Sequence, residues 1–315
     1  MRILIVFGTR PEAIKMAPVV KAFEAAEDFE TITCVTGQHR SMLDQVLELF
    51  AIEPDADLDI MRPGQSLFDV TPWPEEMNRR YVDMVGRWLF APTEISADAL
   101  RREGVPDDHI FVTGNTVIDA LLSVVDQVRP GGAAHNALAG QFGFLDPSKR
   151  LIVVTGHRRE SFDGGLERMC EALARLAGRG DVEIVYPVHL NENVQRAANN
   201  VLAETQAVHL IEPQSYLPFV YLMDRAHLII SDSGGIQEEA PSLGKPVLVT
   251  RAVTERPEAI EAGTCRLVGT DIERIIAEAT QLLDDEAEYR RVSAIANPYG
   301  DGRAAGRIVE AMRNG

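Results

Sequence analysis

The sequence predicts an α/β protein with two parallel-sheet domains, and three features lead to this prediction. Short runs of β-branched and other apolar residues alternate with amphipathic helical stretches, which is the pattern of parallel βαβ units. Glycine or proline stands at the joins between them. The chain has 315 residues, a length that favours two domains over one.

The order of elements repeats in the two halves of the chain. In the first half we predict strands at 2–7 and 31–36 and helices at about 11–26 and 40–50. In the second half we predict strands at 151–155, 182–186, 207–211, 227–231 and 246–249, and helices at about 164–177, 191–204 and 235–242. Between the halves, residues 129–134 are glycine-rich and aperiodic, which is typical of a surface linker.

Composition excludes several classes of function. The formal net charge of −17 repels nucleic-acid backbones, so any anionic ligand must meet a local basic pocket. Cysteines 34, 170 and 265 are odd in number and widely spaced, which argues against a disulfide framework or a zinc site. No apolar run reaches the length of a signal peptide or a membrane span. We therefore expect a cytoplasmic protein with reduced thiols and no membrane partner.

In open α/β sheets, ligands bind beyond the carboxyl ends of the strands, so motifs that follow strands deserve the closest reading. After the first strand, the chain turns at Gly8 and a helix opens with Pro11, so that backbone N–H groups and Arg10 are expected to face an anion. Lys15 follows on the same helix. The alternative is an ordinary tight turn with solvated surface charges.

A stronger anion site is predicted after residues 227–231. There the chain reads Ser231-Asp232-Ser233-Gly234-Gly235 and enters a helix that carries Glu239. Two glycines allow a pyrophosphate to approach the backbone closely, and Ser233 can donate its hydroxyl. An ordinary helix cap is the alternative, although capping does not require a doubled glycine.

Two further segments carry candidate catalytic groups. After residues 151–155, Gly156-His157-Arg158 forms a local basic cluster in an acidic chain. The other six histidines lack this context, and we expect them to be structural or exposed. Around Glu75, prolines set the entry to a helix whose first turn bears two carboxylates, a pattern that suits acid/base chemistry and equally suits a good helix start.

Two further segments give weaker indications of a nucleotide site, and several common cofactor and metal motifs are absent from the sequence. Residues 212–219 read as a loop that could hold a flat base, and Arg256 in Thr-Glu-Arg-Pro is a possible guanidinium contact. The sequence has no dinucleotide fingerprint, phosphate-binding P-loop, H-E-x-x-H or C-x-x-C motif. We therefore expect no cofactor and no metal.

Taken in order, the motifs FGTRPEAIKMAP, PWPEEMNRR, FVTGNTVIDALL, VTGHRRESF, YPVHLN, SDSGGIQEEAPSLGKPVLV, TERPEA and NPYGDG resemble the non-hydrolysing UDP-N-acetylglucosamine 2-epimerases. The resemblance spans residues 1 to about 312. It implies a glycosyltransferase-B-like arrangement in which two Rossmann-like domains face a cleft. The domains would be residues 1–114, with 300–315 packing back on them, and residues 115–299.

The resemblance also implies the reaction and its site. UDP-GlcNAc and UDP-ManNAc would be interconverted through elimination and re-addition of UDP, in a homodimer, without a cofactor. Ser233, Gly234 and Gly235 would contact the phosphates, Glu239 the ribose, and Gln214 and Phe219 the uracil. The implied catalytic residues are Arg10, His157 and Glu75, and the remaining pocket residues are Lys15 and Arg256.

One departure from the family's pattern stands between Thr71 and Pro72. Two helix-plus-strand units of the first domain are absent there, on the order of fifty residues by the usual size of such units. The loss would include two acidic residues that the family uses in catalysis. The segment is either omitted from this sequence, lost by truncation or misassembly, or naturally missing. The open alternatives are a hydrolysing epimerase, a related glycosyltransferase and a non-catalytic UDP-sugar-binding protein.

Overall fold

The computed structural model describes residues 1–37, 40–59, 82–83, 85–158 and 163–314. The chain forms two compact units: an N-terminal unit of residues 1–122 and 299–315, and a C-terminal unit of residues 123–298. All strand pairs among the described residues are parallel, with helices in the connections. The predicted α/β class with parallel sheets is confirmed.

The described strands and helices are numbered in chain order. The strands are β1 (Arg2–Phe7), β2 (Glu30–Val35), β3 (Ala56–Asp57), β4 (Leu89–Ala91), β5 (Ile110–Val112), β6 (Arg150–Thr155), β7 (Val182–Pro187), β8 (Val208–Ile211), β9 (Leu228–Ser231), β10 (Val247–Val249) and β11 (Cys265–Leu267). The helices are α1 (Arg10–Glu24), α2 (Arg40–Leu49), α3 (Glu94–Arg102), α4 (Thr116–Val128), α5 (His135–Gln141), α6 (Gly165–Ala177), α7 (Glu192–Leu202), α8 (Tyr216–Arg225), α9 (Gly234–Glu239), α10 (Pro257–Ala262), α11 (Ile272–Asp284), α12 (Glu286–Ser293) and α13 (Ala304–Asn314).

The C-terminal unit contains a six-stranded sheet in the order β8-β7-β6-β9-β10-β11. This is the doubly wound order, in which the chain builds outward from β6 in one direction and then from β9 in the other. Helix α6 buries one face against the sheet, including Leu173 and Leu176, and meets strand residues such as Ile184. Each such buried side chain contributes about 1.5–3 kcal/mol. The well-packed sheet therefore fixes the positions of the turns after β6 and β9.

The N-terminal unit contains two smaller sheets among the described residues. One has the order β1-β2-β3 and the other pairs β4 with β5. In the C-terminal unit the first strand, β6, has a neighbour on each side, whereas β1 pairs among described residues with β2 alone. Leu4 and Val6 of β1 are 61% and 51% exposed. A sheet that has lost strands between β1 and β4 would have these properties.

Helix α13 returns to the N-terminal unit and packs against α1. The guanidinium of Arg313 donates to the carboxylate of Asp28, with Nη2 and Oδ1 2.6 Å apart. Both side chains are about half exposed, so this pair adds little stability by itself. The apolar face of α13, which buries Ile308 and Val309, anchors the helix.

Two elements differ from the sequence prediction for local reasons. The predicted loop at 212–219 is wrong in its second half, because α8 begins at Tyr216. Pro218 does not prevent this, since a first-turn proline lacks only an N–H that has no partner inside the helix. The predicted helix at 235–242 ends as α9 at Glu239 and continues as a 3-10 turn, Ala240–Leu243, with Pro241 near its start.

No helix among the described residues has both the length and the apolar character needed to cross a membrane.

Candidate functional site

The turns that follow β6 and β9 lie side by side, because these strands are neighbours in the sheet. Thr155 is in register with Ser231, and their hydroxyl oxygens are 2.6 Å apart. The Ser231 hydroxyl also accepts the backbone N–H of Ser233, at 3.0 Å. The winding direction changes between these strands, which is the position where doubly wound sheets bind ligands. Two of the predicted motifs therefore meet at one point.

Asp232 joins the two turns. Its Oδ2 accepts the backbone N–H groups of His157 and Arg158, each at 2.7 Å. The side chain is 1% exposed, and burial alone would raise the pKa of this carboxyl. The adjacent His157 side chain and the two backbone N–H groups outweigh burial and hold the pKa of Asp232 below its usual value. Asp232 is therefore a buried carboxylate that fixes the path of the His157 turn.

The imidazole of His157 stands at the edge of this turn, 42% exposed. Its Nδ1 lies 3.4 Å from Oδ1 of Asp232. Its ring stacks on that of His189, with centroids 5.1 Å apart and planes 15° from parallel. His189 follows β7, the other neighbour of β6. The sequence prediction placed His189 among the structural or exposed histidines and did not anticipate this contact.

The doubled glycine of α9 has no need of glycine's unusual backbone freedom. Gly234 and Gly235 belong to a right-handed helix, and neither has a positive φ. A Cβ on Gly234 would lie 3.8 Å from the guanidinium of Arg256, and one on Gly235 would lie 3.8 Å from Oγ of Ser233. These are ordinary contact distances, so the fold alone would accept side chains at both positions. The glycines instead leave backbone amides open to a ligand beside a guanidinium.

A hydrogen-bonded network holds Arg256 next to this turn. Its Nε donates to the carboxylate of buried Glu238, and its backbone N–H donates to the hydroxyl of Thr254 at 3.1 Å. The Thr254 hydroxyl donates to Oε1 of fully buried Gln237 at 2.7 Å, and Nε2 of Gln237 donates to the Ser233 carbonyl at 3.1 Å. The Arg256 guanidinium is thus tied to α9 and remains about one third exposed.

The residues predicted for ribose and uracil lie around the beginning of α8. Glu239 is 7% exposed and accepts a hydrogen bond from the hydroxyl of Tyr216, the first residue of α8. Oε1 of Gln214 accepts from Nε2 of Gln141 at 3.1 Å. Phe219 is half-buried in the first turn of α8. Tyr216 therefore links the helix that carries Phe219 to the carboxylate of Glu239.

In the N-terminal unit, Arg10 is the first residue of α1 and is partly buried, with Lys15 on the same helix. The backbone N–H groups of this turn, which the sequence predicts to face an anion, have partners within the protein. The N–H groups of Gly8 and Thr9 both donate to Oε2 of Glu12, at 3.0 Å each, and Thr9 caps the N–H of Glu12 in return. This capping box satisfies the amides internally. The prediction that they face an anion is therefore wrong for Gly8 and Thr9 in this conformation.

Glu75 and the junction of Thr71 with Pro72 lie outside the described residues. Within the ranges that are described, no group of three or more histidine, cysteine or acidic side chains is placed to hold a metal ion.

Comparison with known proteins gives a consistent result. Residues 61–313 match the sequence model of the family described as UDP-N-acetylglucosamine 2-epimerase. The UDP-N-acetylglucosamine 2-epimerase of Escherichia coli K12 is 50% identical, with 100% of this chain and 99% of the relative covered. The crystal structure of the Neisseria meningitidis UDP-GlcNAc 2-epimerase bound to UDP-GlcNAc matches at TM-score 0.90 and 42% identity, covering 100% of both chains. That of the Methanocaldococcus jannaschii UDP-GlcNAc 2-epimerase in complex with UDP-GlcNAc and UDP matches at TM-score 0.79 and 27% identity, also covering 100% of both.

The alignment with the E. coli relative also shows how many residues this chain lacks, which bears on the predicted loss of two helix-plus-strand units. It runs over 371 positions, whereas this chain has 315 residues, so at least 56 positions (371 − 315) have no residue here. This agrees in size with the predicted loss of two helix-plus-strand units. Because the family's sequence model matches most of the chain and a relative covered over nearly its whole length is half identical to it, this chain belongs to the UDP-N-acetylglucosamine 2-epimerase family.

Proposed function

We propose that this chain binds UDP-GlcNAc and interconverts it with UDP-ManNAc. Family membership supports the activity, and relatives crystallised with UDP-GlcNAc and with UDP support the ligand class. In the proposed reaction the C1–O bond to UDP breaks and the proton on C2 leaves, giving 2-acetamidoglucal. UDP then adds back at C1 while C2 receives a proton on its other face. No oxidation state changes overall, so the reaction needs no redox cofactor.

The observation that carries this proposal is the pair of helical glycines at 234 and 235. Their backbone conformation does not require glycine, and space for a Cβ exists at both. A ligand that approaches the backbone closely explains their presence, as a diphosphate does at a helix entrance. The Arg256 guanidinium beside Gly234 supplies the positive charge that a diphosphate needs in a chain of net charge −17.

The proposed roles divide by charge. Arg10 and His157 stabilise the departing diphosphate, since a C2 proton becomes acidic only as C1 becomes cationic. Glu75 exchanges protons at the sugar. The binding residues keep the roles that the resemblance implies: Ser233, Gly234 and Gly235 at the phosphates, Glu239 at the ribose, Gln214 and Phe219 at the uracil, and Lys15 and Arg256 as further cations of the pocket.

The variant Gly235→Ala tests the nucleotide site. Alanine is favoured over glycine inside a helix by up to about 1 kcal/mol, so we expect the midpoint of thermal unfolding to stay constant or rise. The added methyl group would block close approach of a phosphate, and we expect the affinity for UDP, measured by titration calorimetry, to fall by about tenfold or more. Gly140→Ala in α5 is the matched control, because a Cβ there meets nothing within 4 Å. Unchanged UDP affinity in Gly235→Ala would contradict the proposed site.

Turnover is tested by incubating the chain with UDP-GlcNAc and separating the products. UDP-ManNAc alone supports the epimerase, whereas free UDP with ManNAc supports a hydrolysing enzyme. We expect His157→Ala to abolish turnover and Glu239→Ala mainly to weaken UDP binding. The 56 or more unmatched positions favour a second candidate, a non-catalytic UDP-sugar-binding protein, and UDP binding without turnover would select it.

The proposal includes a homodimer, which the resemblance implies and which light scattering of the purified chain would test.

The proposal also includes a cytoplasmic location. The three cysteines are buried and free, and burial raises the pKa of the Cys170 and Cys265 thiols to about 12, so these stay protonated and unreactive.

A further inference from the structure

One carboxylate oxygen near the proposed catalytic imidazole has no conventional hydrogen bond among the described residues. Oδ2 of Asp232 accepts two backbone N–H groups, but Oδ1 is buried without such a partner. A buried, unsatisfied carboxylate oxygen is costly, and native structures rarely keep one without a reason. Nδ1 of His157 lies 3.4 Å from Oδ1, which is long for a hydrogen bond. Contacts of this kind often shorten when a ligand binds.

The contact determines which nitrogen of His157 carries the first proton. A carboxylate that faces Nδ1 favours a proton there, because an unprotonated Nδ1 would place a lone pair against the negative oxygen. Nε2 is then the nitrogen left for a ligand.

His189, whose ring stacks on that of His157, carries its proton on the other ring nitrogen. Its Nδ1 accepts the backbone N–H of Asn191 at 3.1 Å, so its proton belongs on Nε2. Partial burial, followed by repulsion from His157, lowers the pKa of His189, and the charge of Asp232 offsets this only in part. His189 therefore favours the neutral form beside His157.

We propose that Asp232 is the positioning residue of His157: it fixes a proton on Nδ1, holds the turn through two backbone amides, and directs Nε2 toward the departing diphosphate. The role at the diphosphate rests on the proposed function, whereas the placement of the proton does not. Asp232 touches neither substrate nor product in this scheme. It acts through the imidazole, as the buried aspartate does in a serine protease triad.

Asp232→Asn tests this role with minimal change of shape. The amide oxygen can still accept the N–H groups of His157 and Arg158, which turns the amide NH₂ toward Nδ1 of His157. Because an NH₂ group donates, Nδ1 must then accept, and the proton of the neutral ring moves to Nε2. The charged acceptor that faces Nδ1–H of His157 is lost as well, and a hydrogen bond to a charged group is roughly twice as strong as one between neutral groups.

The first measurement is the ¹⁵N spectrum of histidine side chains in the full chain without nucleotide, at a pH where the ring is neutral. The His157 signals are assigned by their loss in His157→Ala. We expect Nδ1–H in the unmodified chain and Nε2–H in Asp232→Asn. Nε2–H in the unmodified chain would overturn the proposal, and this result needs neither a folded Asp232→Asn variant nor bound UDP.

The second measurement is a double-mutant cycle of UDP affinity, together with kcat and KM of Asp232→Asn alone where the chain turns over. We expect Asp232→Asn to weaken UDP binding by about threefold to tenfold and to lower kcat by about tenfold to 100-fold, with a smaller change in KM. In the His157→Ala background the same substitution should change the UDP affinity by less than about twofold. Equal losses in both backgrounds would indicate a structural role and overturn the proposal.

Asp224→Asn is the control, since it removes a charge from the same unit at the Arg129 pair, away from the turns after β6 and β9. We expect it to leave UDP affinity within about twofold. Failure of the unmodified chain to bind UDP would overturn the proposed function, while the tautomer measurement would still decide the role of Asp232.

Discussion

His227, just before β9, carries a partly buried imidazole outside the candidate site. Its ring stacks on Tyr289, with centroids 4.0 Å apart and planes 12° from parallel, and its Nε2 donates to the Leu282 carbonyl at 3.2 Å. Burial lowers the pKa of His227, and the nearby charges of Arg150 and Lys245 lower it further, despite the opposing carbonyl contact. The native state therefore favours the neutral ring.

This shift predicts a loss of stability in mild acid. Below the ordinary histidine pKa of about 6.5, the unfolded chain binds a proton that the folded chain resists, so the free energy of unfolding falls as pH drops. His227→Phe keeps an aromatic ring against Tyr289 but does not titrate. We expect the unfolding midpoint of this variant to fall less than that of the unmodified chain between about pH 7.5 and 5.5. The midpoints are measured by scanning calorimetry, and an equal fall of the midpoint in the variant and the unmodified chain would contradict the prediction.

Single residues also mark the limits of sequence reasoning. Gly156-His157 and Ser233-Gly234-Gly235 each follow a strand, and this position predicts them as site residues. The structure places both motifs where the winding direction of the sheet changes, between β6 and β9. His189 follows a strand as well, but its contact with His157 depends on β7 lying beside β6. Strand order is not visible in a single segment, so local context could not distinguish His189 from the other histidines.

At the scale of elements, the candidate site depends on how α9 is joined to the loop at 254–256. Gln237 bridges them, with Nε2 on the Ser233 carbonyl and Oε1 on the Thr254 hydroxyl. Since Gln237 is fully buried, each of its polar atoms needs a partner inside the protein. The network also orients the backbone of Arg256 through Thr254.

Thr254→Val should break this connection. Valine keeps the shape of threonine but removes the hydroxyl, which leaves the buried Oε1 of Gln237 without its donor and the N–H of Arg256 without its acceptor. We expect the free energy of unfolding, measured with urea, to fall by about 1–3 kcal/mol and the UDP affinity to fall by about threefold or more. Thr254→Ser retains the hydroxyl and should restore most of both losses. Wild-type UDP affinity in Thr254→Val would show that the network does not position Arg256.

At the scale of the whole molecule, the two units differ in how completely their sheets are built. In the C-terminal unit β6 is flanked on both sides, whereas among the described residues of the N-terminal unit β1 pairs with β2 alone and its Leu4 and Val6 side chains are exposed. Exposed apolar edge strands lack the packing that protects backbone hydrogen bonds. The N-terminal unit should therefore open more readily than the C-terminal unit.

Hydrogen–deuterium exchange read by mass spectrometry tests this difference. We expect amides of β1 and β2 to exchange at least about tenfold faster than those of β6 and β9, since a tenfold ratio needs only about 1.4 kcal/mol of difference in opening free energy. Added UDP should slow exchange in the turns after β6 and β9. Equal protection of the two sheets would contradict the prediction and imply that the N-terminal unit is complete as a folding unit.

The sequence by itself determined the α/β class, the family, and the positions of the glycine turns, because hydrophobic periodicity and turn chemistry are local properties. It also indicated the loss of two helix-plus-strand units. Only the tertiary structure decided that Asp232 holds the His157 turn and that His189 stacks on His157. These contacts depend on strand order and on competition between partners, which short sequence motifs do not encode.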